Sequence, residues 1–530
     1  MSKRGKINIL DCTLRDGGYI NEFDFGRHKI RKIINGLSES GIDIVECGFL
    51  ESGANNPDKS LFSNVQDIGE YIQNRNKDIM YVAMIAYGDI SIDEICEYNG
   101  ESIEGIRLTF HEEEIDEALI FAEKLMAKGY KVFIQPVGTV TYTDQALLNL
   151  ISRINLMNPF AFYLVDTLGN LSKKDLIRML YLIDSNLEKT IKVGFHSHNN
   201  LQLSFSNAQE LIDLNLGRDV IIDSSVFGMG RGAGNLCTEL LVRYINENIE
   251  EKYDIIPILE IMDEHIMPIY QEFKWGYSAP YCLAAMNGCH PNYASYLIDR
   301  QTLCIRDINK IIKSIDLKKR HLFDKTYIKQ LYIDFQSHHV EDEDEILNIS
   351  KLCEGREVFV IAPGKSVVTY MQEIQKLINN SNPVIFSVNF MPNDIEVDRI
   401  FVGNSKKFES FINCNEKIAN KIISTSNVVT NINGRQINYA RYMKGMSALL
   451  DNSGILLLDI LKESGVKKVN LAGFDGYDGK LEDYCEDNEK ERIVYEEKNK
   501  AIIEYLSKYS EDVDIVFITP SLYEKRINNE

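Results

Sequence analysis

The chain has 530 residues, too many for one ordinary domain, and its 44% apolar and 26% charged residues give a composition that builds large cores without staples. Lys and Arg number 58 against 79 Asp and Glu, and the net charge of −21 excludes a chain that wraps a nucleic-acid backbone, leaving room only for local basic pockets. Ten scattered cysteines with no C-x-x-C pair exclude a disulfide framework; no apolar run is long enough to span a bilayer and Met1–Asp11 has no signal-length apolar core, so the expected location is the cytoplasm.

From Lys6 to Val226, eight short β-type runs alternate with helical stretches. The runs are Ile7–Leu10, Ile42–Glu46, Met80–Ile85, Gly105–Thr109, Lys131–Gln135, Phe162–Asp166, Lys192–His196 and Val220–Ser224. Helix-period segments such as Arg27–Ser40, Ile115–Lys128, Lys173–Leu187 and Leu203–Leu214 lie between them. This alternation predicts a parallel sheet. Eight units in about 240 residues predict a closed (β/α)₈ barrel, the TIM-barrel class, over an open sheet. Residues 241–345 read as a helical extension ending in an acidic linker, Glu341–Glu345. Residues 346–530 start a second, Rossmann-like α/β pattern: strands at Val358–Ile361, Pro383–Val388, Arg399–Val402, Val469–Ala472 and Val513–Ile518, and a helix at Gly454–Glu463.

In a closed barrel the chemistry stands at the C-terminal ends of the strands. Polar residues cluster there: Asp11–Gly18 after the first run, Glu46 after the second, Arg107 in the fourth, Gln135 after the fifth, Asp166-Thr167 after the sixth, His196–Asn200 after the seventh and Gly228–Asn235 after the eighth. His-x-His on a strand puts both imidazoles on one face, because side chains alternate with period two. With the carboxylate of Asp16 they make a site for a divalent metal. Such a metal acts as a Lewis acid on a chelating 2-oxo acid, and Arg15 supplies a cation for the developing oxyanion.

Leu10–Gly18, His196-Ser197-His198-Asn199-Asn200-Leu201 and Gly232-Ala233-Gly234-Asn235 resemble the three signatures of the metal-dependent lyase and synthase barrels, the DRE-TIM metallolyases. These include 4-hydroxy-2-oxovalerate aldolase, hydroxymethylglutaryl-CoA lyase and the isopropylmalate and homocitrate synthases. The resemblance covers residues 6 to 240. It implies metal ligation by Asp16, His196 and His198, with Asn235 as a further ligand, and enolate stabilisation by Arg15. It implies a divalent cofactor, Mn²⁺ or Mg²⁺ first, with Co²⁺ or Zn²⁺ as alternatives. The Asn199-Asn200-Leu201 sequel is the aldolase form. Tyr19 stands where hydroxyoxovalerate aldolase has its catalytic histidine, so Tyr19 is a candidate for proton transfer and a different aldehyde is expected. Thr167 is a further candidate catalytic residue. Glu46, Gln135 and Arg107 are candidate substrate contacts, and Glu46 is equally readable as a barrel-core ion pair. The expected activity is addition of a pyruvate-type enolate to an aldehyde, or its reversal. Acyl-CoA-dependent Claisen condensation and a non-catalytic scaffold are the alternatives. A homo-oligomer built through the helices of the extension is a further expectation.

Val358–Ser366, Ser387–Phe390, Asn452–Ile455 and Leu471–Tyr477 resemble bacterial sialyltransferases and flagellin-modification glycosyltransferase-like domains. That resemblance implies a nucleotide or nucleotide-sugar site using Gly364, Ser366, Asn389, Ser453, Gly454 and Asp475. The first Walker glycine is replaced by Phe359, and no histidine follows His339, so a binding module is expected rather than a transferase. The pairing of the two halves points to a sugar-related aldehyde in surface-polysaccharide biosynthesis.

Overall fold

The computed structural model describes residues 5–72, 75–300, 302–412, 416–428, 435–443, 449, 451–477 and 489–524. Two compact units divide the chain: Met1–Ser295 with Asp316–Phe323, and Tyr296–Ile315 with Asp324–Glu530. The segment 241–345 is therefore shared between the two units.

The first unit is a ring of eight parallel strands: β1 (Ile7–Asp11), β2 (Ile44–Leu50), β3 (Met80–Ala86), β4 (Gly105–Phe110), β5 (Lys131–Pro136), β6 (Ala161–Asp166), β7 (Lys192–Ser197) and β8 (Val220–Ser224). β1 closes the ring, pairing β8 from Ile7↔Val220 to Asp11↔Ser224 and β2 at Leu10↔Ile44. A two-residue strand, Leu61–Phe62, adds to β2. Helices α1 (Arg27–Glu39), α2 (Val65–Gly69), α3 (Ile115–Ala127), α4 (Asp144–Met157), α5 (Lys173–Asn186), α6 (Ser204–Leu214) and α7 (Thr238–Asn248) surround it. The barrel is irregular at two crossovers. α2 has one turn, and β3 reaches β4 through only a 3₁₀ turn at Ile92–Glu94.

Local chemistry fixes these elements. Ile30, Ile33, Ile34 and Leu37 put one apolar stripe of α1 against the strands. Thr143 and Ser172 cap α4 and α5 by accepting from Ala146 N and Asp175 N. Along each strand, alternate residues pack outward on the helices, and the others fill the ring with Leu10, Val82, Phe133, Tyr163 and Ile221. Gly194 is needed on β7: a Cβ there would stand 2.2 Å from the Tyr163 ring.

The second unit carries a seven-stranded parallel sheet: β9 (Val358–Ile361), β10 (Val384–Val388), β11 (Arg399–Val402), β12 (Ile422–Thr425), β13 (Arg435–Ile437), β14 (Lys468–Ala472) and β15 (Asp514–Phe517). Their order is β13-β12-β11-β10-β9-β14-β15, so direction of winding reverses between β9 and β14. Val358 and Val360 pack into one apolar layer and Phe359 and Ile361 into the other, so both faces are buried. The acidic stretch expected to be a linker is the start of a helix, Glu343–Cys353. Glu343, Asp344 and Glu345 occupy its first turn, where the helix dipole favours negative charge. β12, β13 and the helix Glu489–Tyr509 have short or strongly polar sequences and give little periodic signal.

Candidate metal centre

After β1 the chain makes one tight turn, with Arg15 N and Asp16 N donating to Cys12 O at 3.1 and 2.8 Å. This turn carries Arg15 and Asp16 over the barrel mouth, where both are buried. β7 brings His196 and His198 to the same place. Their ring centres are 5.1 Å apart and the rings nearly perpendicular, at 89°. The loop after β8 is pinned to the β7 end by Asn199 N donating to Gly234 O at 2.7 Å. Gly234 has φ +83° and approaches Gly228 O so closely that a Cβ would clash at 2.1 Å. That glycine lets the next residue, Asn235, join the cluster.

One ligand atom from each of Asp16, His196 and His198 lies within 4.8 Å of the others. Asp16 Oδ2 accepts from Asn235 Nδ2 at 2.7 Å and stands 3.9 Å from His198 Nδ1. His198 Nδ1 and Asn235 Oδ1 are buried and have no hydrogen-bond partner. Buried polar atoms without partners are costly, and a cation at this point would answer both. Two imidazoles, a carboxylate and an amide oxygen suit a divalent metal.

The ligands are linked by a continuous buried chain of charges. Arg15 Nη1 donates to Asp16 at 2.7 Å and Arg15 Nε to Glu46 Oε2 at 2.9 Å. Arg107 Nη1 donates to the same Glu46 oxygen at 2.5 Å, and Arg107 Nη2 pairs with Asp223. Asp223 Oδ2 meets His196 Nδ1 at 3.0 Å, which leaves His196 Nε2 for a ligand position. Three carboxylates and two guanidiniums leave this chain one negative charge in excess, which a divalent cation would overcome. Burial pushes Asp16 upward, but Arg15, then His198 and His196, hold it well below the usual carboxylate range. Burial lowers His198 to about 3 against the opposing pull of Asp16, keeping it an uncharged ligand.

The expected substrate contact Arg107 has no exposed surface. It lies inside the ring between Glu46 and Asp223, its guanidinium 5.1 Å from the Tyr163 ring centre. The structure thus corrects that expectation to a support role, because the guanidinium's charge is consumed by two buried carboxylates. Glu46, equally, is tied to two arginines. Thr167 Oγ1 accepts from Gly138 N at 2.9 Å, joining the loops after β5 and β6. Gln135 is buried with Nε2 unpaired. Tyr19 is 39% exposed at the rim, with the Arg231 guanidinium 4.2 Å from its ring centre. Cys12 and Cys47 are buried thiols pushed up by burial, so neither is a ready nucleophile. Asp223 was missed by sequence reasoning. Its signal was a lone carboxylate in the apolar run Val220–Ser224.

In the second unit the expected nucleotide residues form two groups. Asp475 accepts from Ser366 N at 2.9 Å and also from Ser366 Oγ. The anion expected at this turn is supplied by the protein itself. A Cβ on Gly364 would meet Gly473 O at 2.4 Å, so this glycine serves close packing. Asn389, at φ +57°, accepts from Gly403 N at 3.2 Å. Ser453 and Gly454 open the helix Ser453–Glu463, capped by Asn452, which accepts from Ile455 N. Ser387 Oγ, Thr425 Oγ1, Asn427 Oδ1 and Ser453 Oγ are buried there without partners.

The profile of the HMGL-like family matches residues 6–264. Oxaloacetate decarboxylase of Mycobacterium tuberculosis is 28% identical over 242 residues, covering 44% of this chain and 68% of that protein. The 4-hydroxy-2-oxovalerate aldolase of Geobacillus genomosp. 3 is 25% identical over 271 residues, covering 50% and 77%. The crystal structure of the N-terminal domain of a proposed aldolase from Bacteroides vulgatus aligns with a TM-score of 0.48 at 26% identity, covering 55% of this chain and 96% of that domain. Among the described residues no helix is long and apolar enough to cross a membrane.

Proposed function

The chain belongs to the HMGL-like family through residues 6–264, and from that premise we propose that this metal-dependent carbon–carbon lyase is an aldolase that adds a pyruvate-type enolate to an aldehyde, or releases it. The observation that carries the reading is the set of unpaired buried polar atoms around Asp16, His196 and His198. When bound there, a divalent cation, Mn²⁺ or Mg²⁺ in our reading, supplies Lewis acidity that drains electron density from a 2-oxo group and acidifies the neighbouring C–H.

The chain's own residues do the rest. Asp16, His196, His198 and Asn235 would hold the cation. Asp223 fixes the His196 tautomer by accepting from Nδ1. Arg15 has two nitrogens committed to Asp16 and Glu46, while its Nη2 is buried and free. That free N–H is a preset donor for an enolate oxygen, and its geometry cannot relax because the other two contacts lock the fork. Gln135 Nε2 is a second free donor, suited to a carboxylate oxygen. Asn200 ties the loops after β6 and β8 together: its Oδ1 accepts from Ala233 N and its Nδ2 donates to Leu168 O.

The test is pyruvate α-proton exchange in deuterium oxide. We expect metal-stimulated exchange in the full chain and its loss in Asp16→Asn, with loss of bound metal. Exchange that persists in Asp16→Asn removes the reading. A relative is named an oxaloacetate decarboxylase, and the same enolate arises when that acid loses CO₂. Metal-stimulated CO₂ release from oxaloacetate without any aldehyde addition would favour the decarboxylase instead.

We also infer a sugar-related aldehyde and a nucleotide or nucleotide-sugar ligand for the second unit, supported by its four unpaired buried polar atoms at the carboxyl ends of β10 and β12 and the start of Ser453–Glu463. Thermal shifts with nucleoside mono- and diphosphates test this. No stabilisation by any of them removes it.

A further inference from the structure

The barrel mouth holds one arginine whose charge the protein does not answer. Ten arginines are described between residues 5 and 250. Eight of them form ion pairs with carboxylates. Arg31 donates to Glu70 O instead. Arg231 is half-buried, and among the described residues its side chain has no hydrogen bond and no ion pair; it rests on the Tyr19 ring, 4.2 Å from the ring centre.

Its position is specific. Arg231 lies on the Gly228–Asn235 loop, and its charge acts on Asp16, His198 and His290. His290 comes from the segment after the barrel and is buried. Its backbone is tied to Arg320 O at 2.7 Å, and its Nδ1 accepts from Asn292 N at 3.2 Å. The uncharged ring therefore carries its hydrogen on Nε2, which has no partner among the described residues. Pro291 packs on the same loop: a Cβ on Gly232 would stand 3.1 Å from Pro291 Cβ. The rim therefore offers two unused donors, one charged and one neutral, beside the candidate metal site.

The charges around the site bear on what they meet. The buried chain from Asp16 to Asp223 has one excess negative charge. A divalent cation would more than offset that chain, and Arg231 adds a further positive charge at the rim. The carboxylate of a 2-oxo acid offsets one positive charge. Arg231, which pairs with no carboxylate of the protein among the described residues, is the group left open to an anion of the second reactant.

We propose that Arg231, presented on Tyr19, binds an anionic group of the second reactant, a carboxylate or a phosphate ester carried by the aldehyde, with His290 Nε2 donating to the same molecule. This rests on the aldolase reading. The bond-forming step is otherwise unchanged: the enolate carbon attacks the aldehyde carbon, and the resulting alkoxide takes one proton from solvent.

Pyruvate α-proton exchange uses no second reactant, so its absence in the wild-type chain would sink the aldolase reading, and this proposal with it. With exchange established, addition is compared for glyceraldehyde against glyceraldehyde 3-phosphate and for propionaldehyde against succinic semialdehyde. The two pairs separate phosphate from carboxylate. One anionic aldehyde is expected to exceed its neutral counterpart about 10- to 100-fold in kcat/KM, the worth of a charge-assisted hydrogen bond. Arg231→Met should erase most of that preference, with the loss in addition exceeding any loss in exchange at least about tenfold, and Arg231→Lys should restore part of it. Equal rates for charged and neutral aldehydes, or a preference that survives Arg231→Met, would overturn the proposal.

Discussion

The barrel mouth and the carboxyl edge of the seven-stranded sheet are built alike, from loops that follow parallel strands, yet they treat charge in opposite ways. At the mouth, six residues from Asp16 to His196 form one buried chain, and beside it His198 Nδ1 and Asn235 Oδ1 stay unpaired. At the sheet edge, the backbone N–H and hydroxyl of Ser366 are already satisfied by Asp475. The barrel keeps buried ligand atoms unpaired beside Asp16, His196 and His198, which suits an outside cation. The sheet meets Ser366 with its own carboxylate and leaves buried neutral groups such as Thr425 Oγ1 and Ser453 Oγ unpaired. Similar topology thus leaves buried metal-type ligand atoms open at one end and neutral hydroxyls open at the other.

Removing one link of the barrel chain should break this contrast most strongly. Asp223→Ala takes away the acceptor that orients His196 and leaves Arg107 with Glu46 alone. Metal affinity is expected to fall about 10- to 100-fold, as when an outer partner of a metal-bound histidine is lost. Stability should fall by about 3–5 kcal/mol, because a buried charge loses its partner. Isothermal titration with Mn²⁺ and urea unfolding measure the two effects. A variant that binds Mn²⁺ as the wild type does would mean that the chain packs the barrel and does not tune the site.

Asp166 gives a smaller effect with a definite sign. Burial raises its carboxyl to about 6, partly offset by the backbone N–H groups of Leu171, Asn170 and Gly169. A carboxyl raised by folding binds its proton more tightly in the native state. Its contribution is therefore favourable below about pH 4 and is lost as pH climbs to about 6, by about 3 kcal/mol in all. Asp166→Asn cannot titrate, so the variant should gain on the wild type between pH 4 and pH 7. Trp275, the sole tryptophan, lies in the barrel unit and reports its unfolding. A constant difference across that range would mean that Asp166 is ionised in the native state throughout.

The same contrast explains what could be read in advance. The eight strands of the barrel were legible because they are apolar on both faces and end in polar clusters. Asp16, His196 and His198 were legible because they fall at such ends with the right spacing. The carboxylate of Asp223 was not, since a charge inside a strand has no local pattern, and Arg107 was singled out as a substrate contact because its two carboxylate partners lie far away in sequence. Only closure of the ring shows that they meet, across 116 residues of sequence. The helix at Glu343–Cys353 was masked by its acidic start, which resembles a linker until its dipole is considered. Gly364 and Ser366 were assigned to a nucleotide site, but the group that Ser366 holds, Asp475, lies 109 residues away in sequence.

That carboxylate supplies the smallest and most selective test. Asp475 holds two groups of Ser366, and Ser366 Oγ also lies 2.8 Å from Thr519 Oγ1, which in turn accepts from Gly473 N at 2.9 Å. Asp475→Ala leaves the Ser366 N–H without its acceptor, at a cost of about 1–3 kcal/mol. Asp475→Asn keeps one acceptor oxygen and should cost less. Because this carboxylate serves the sheet edge alone, the loss should appear in the circular dichroism transition while the Trp275 fluorescence transition and pyruvate exchange stay at wild-type values. A shift in both transitions would mean that the two units unfold together. Stability unchanged in Asp475→Ala would mean that water replaces the carboxylate at Ser366 without penalty, and the sheet edge would then be open to an outside anion.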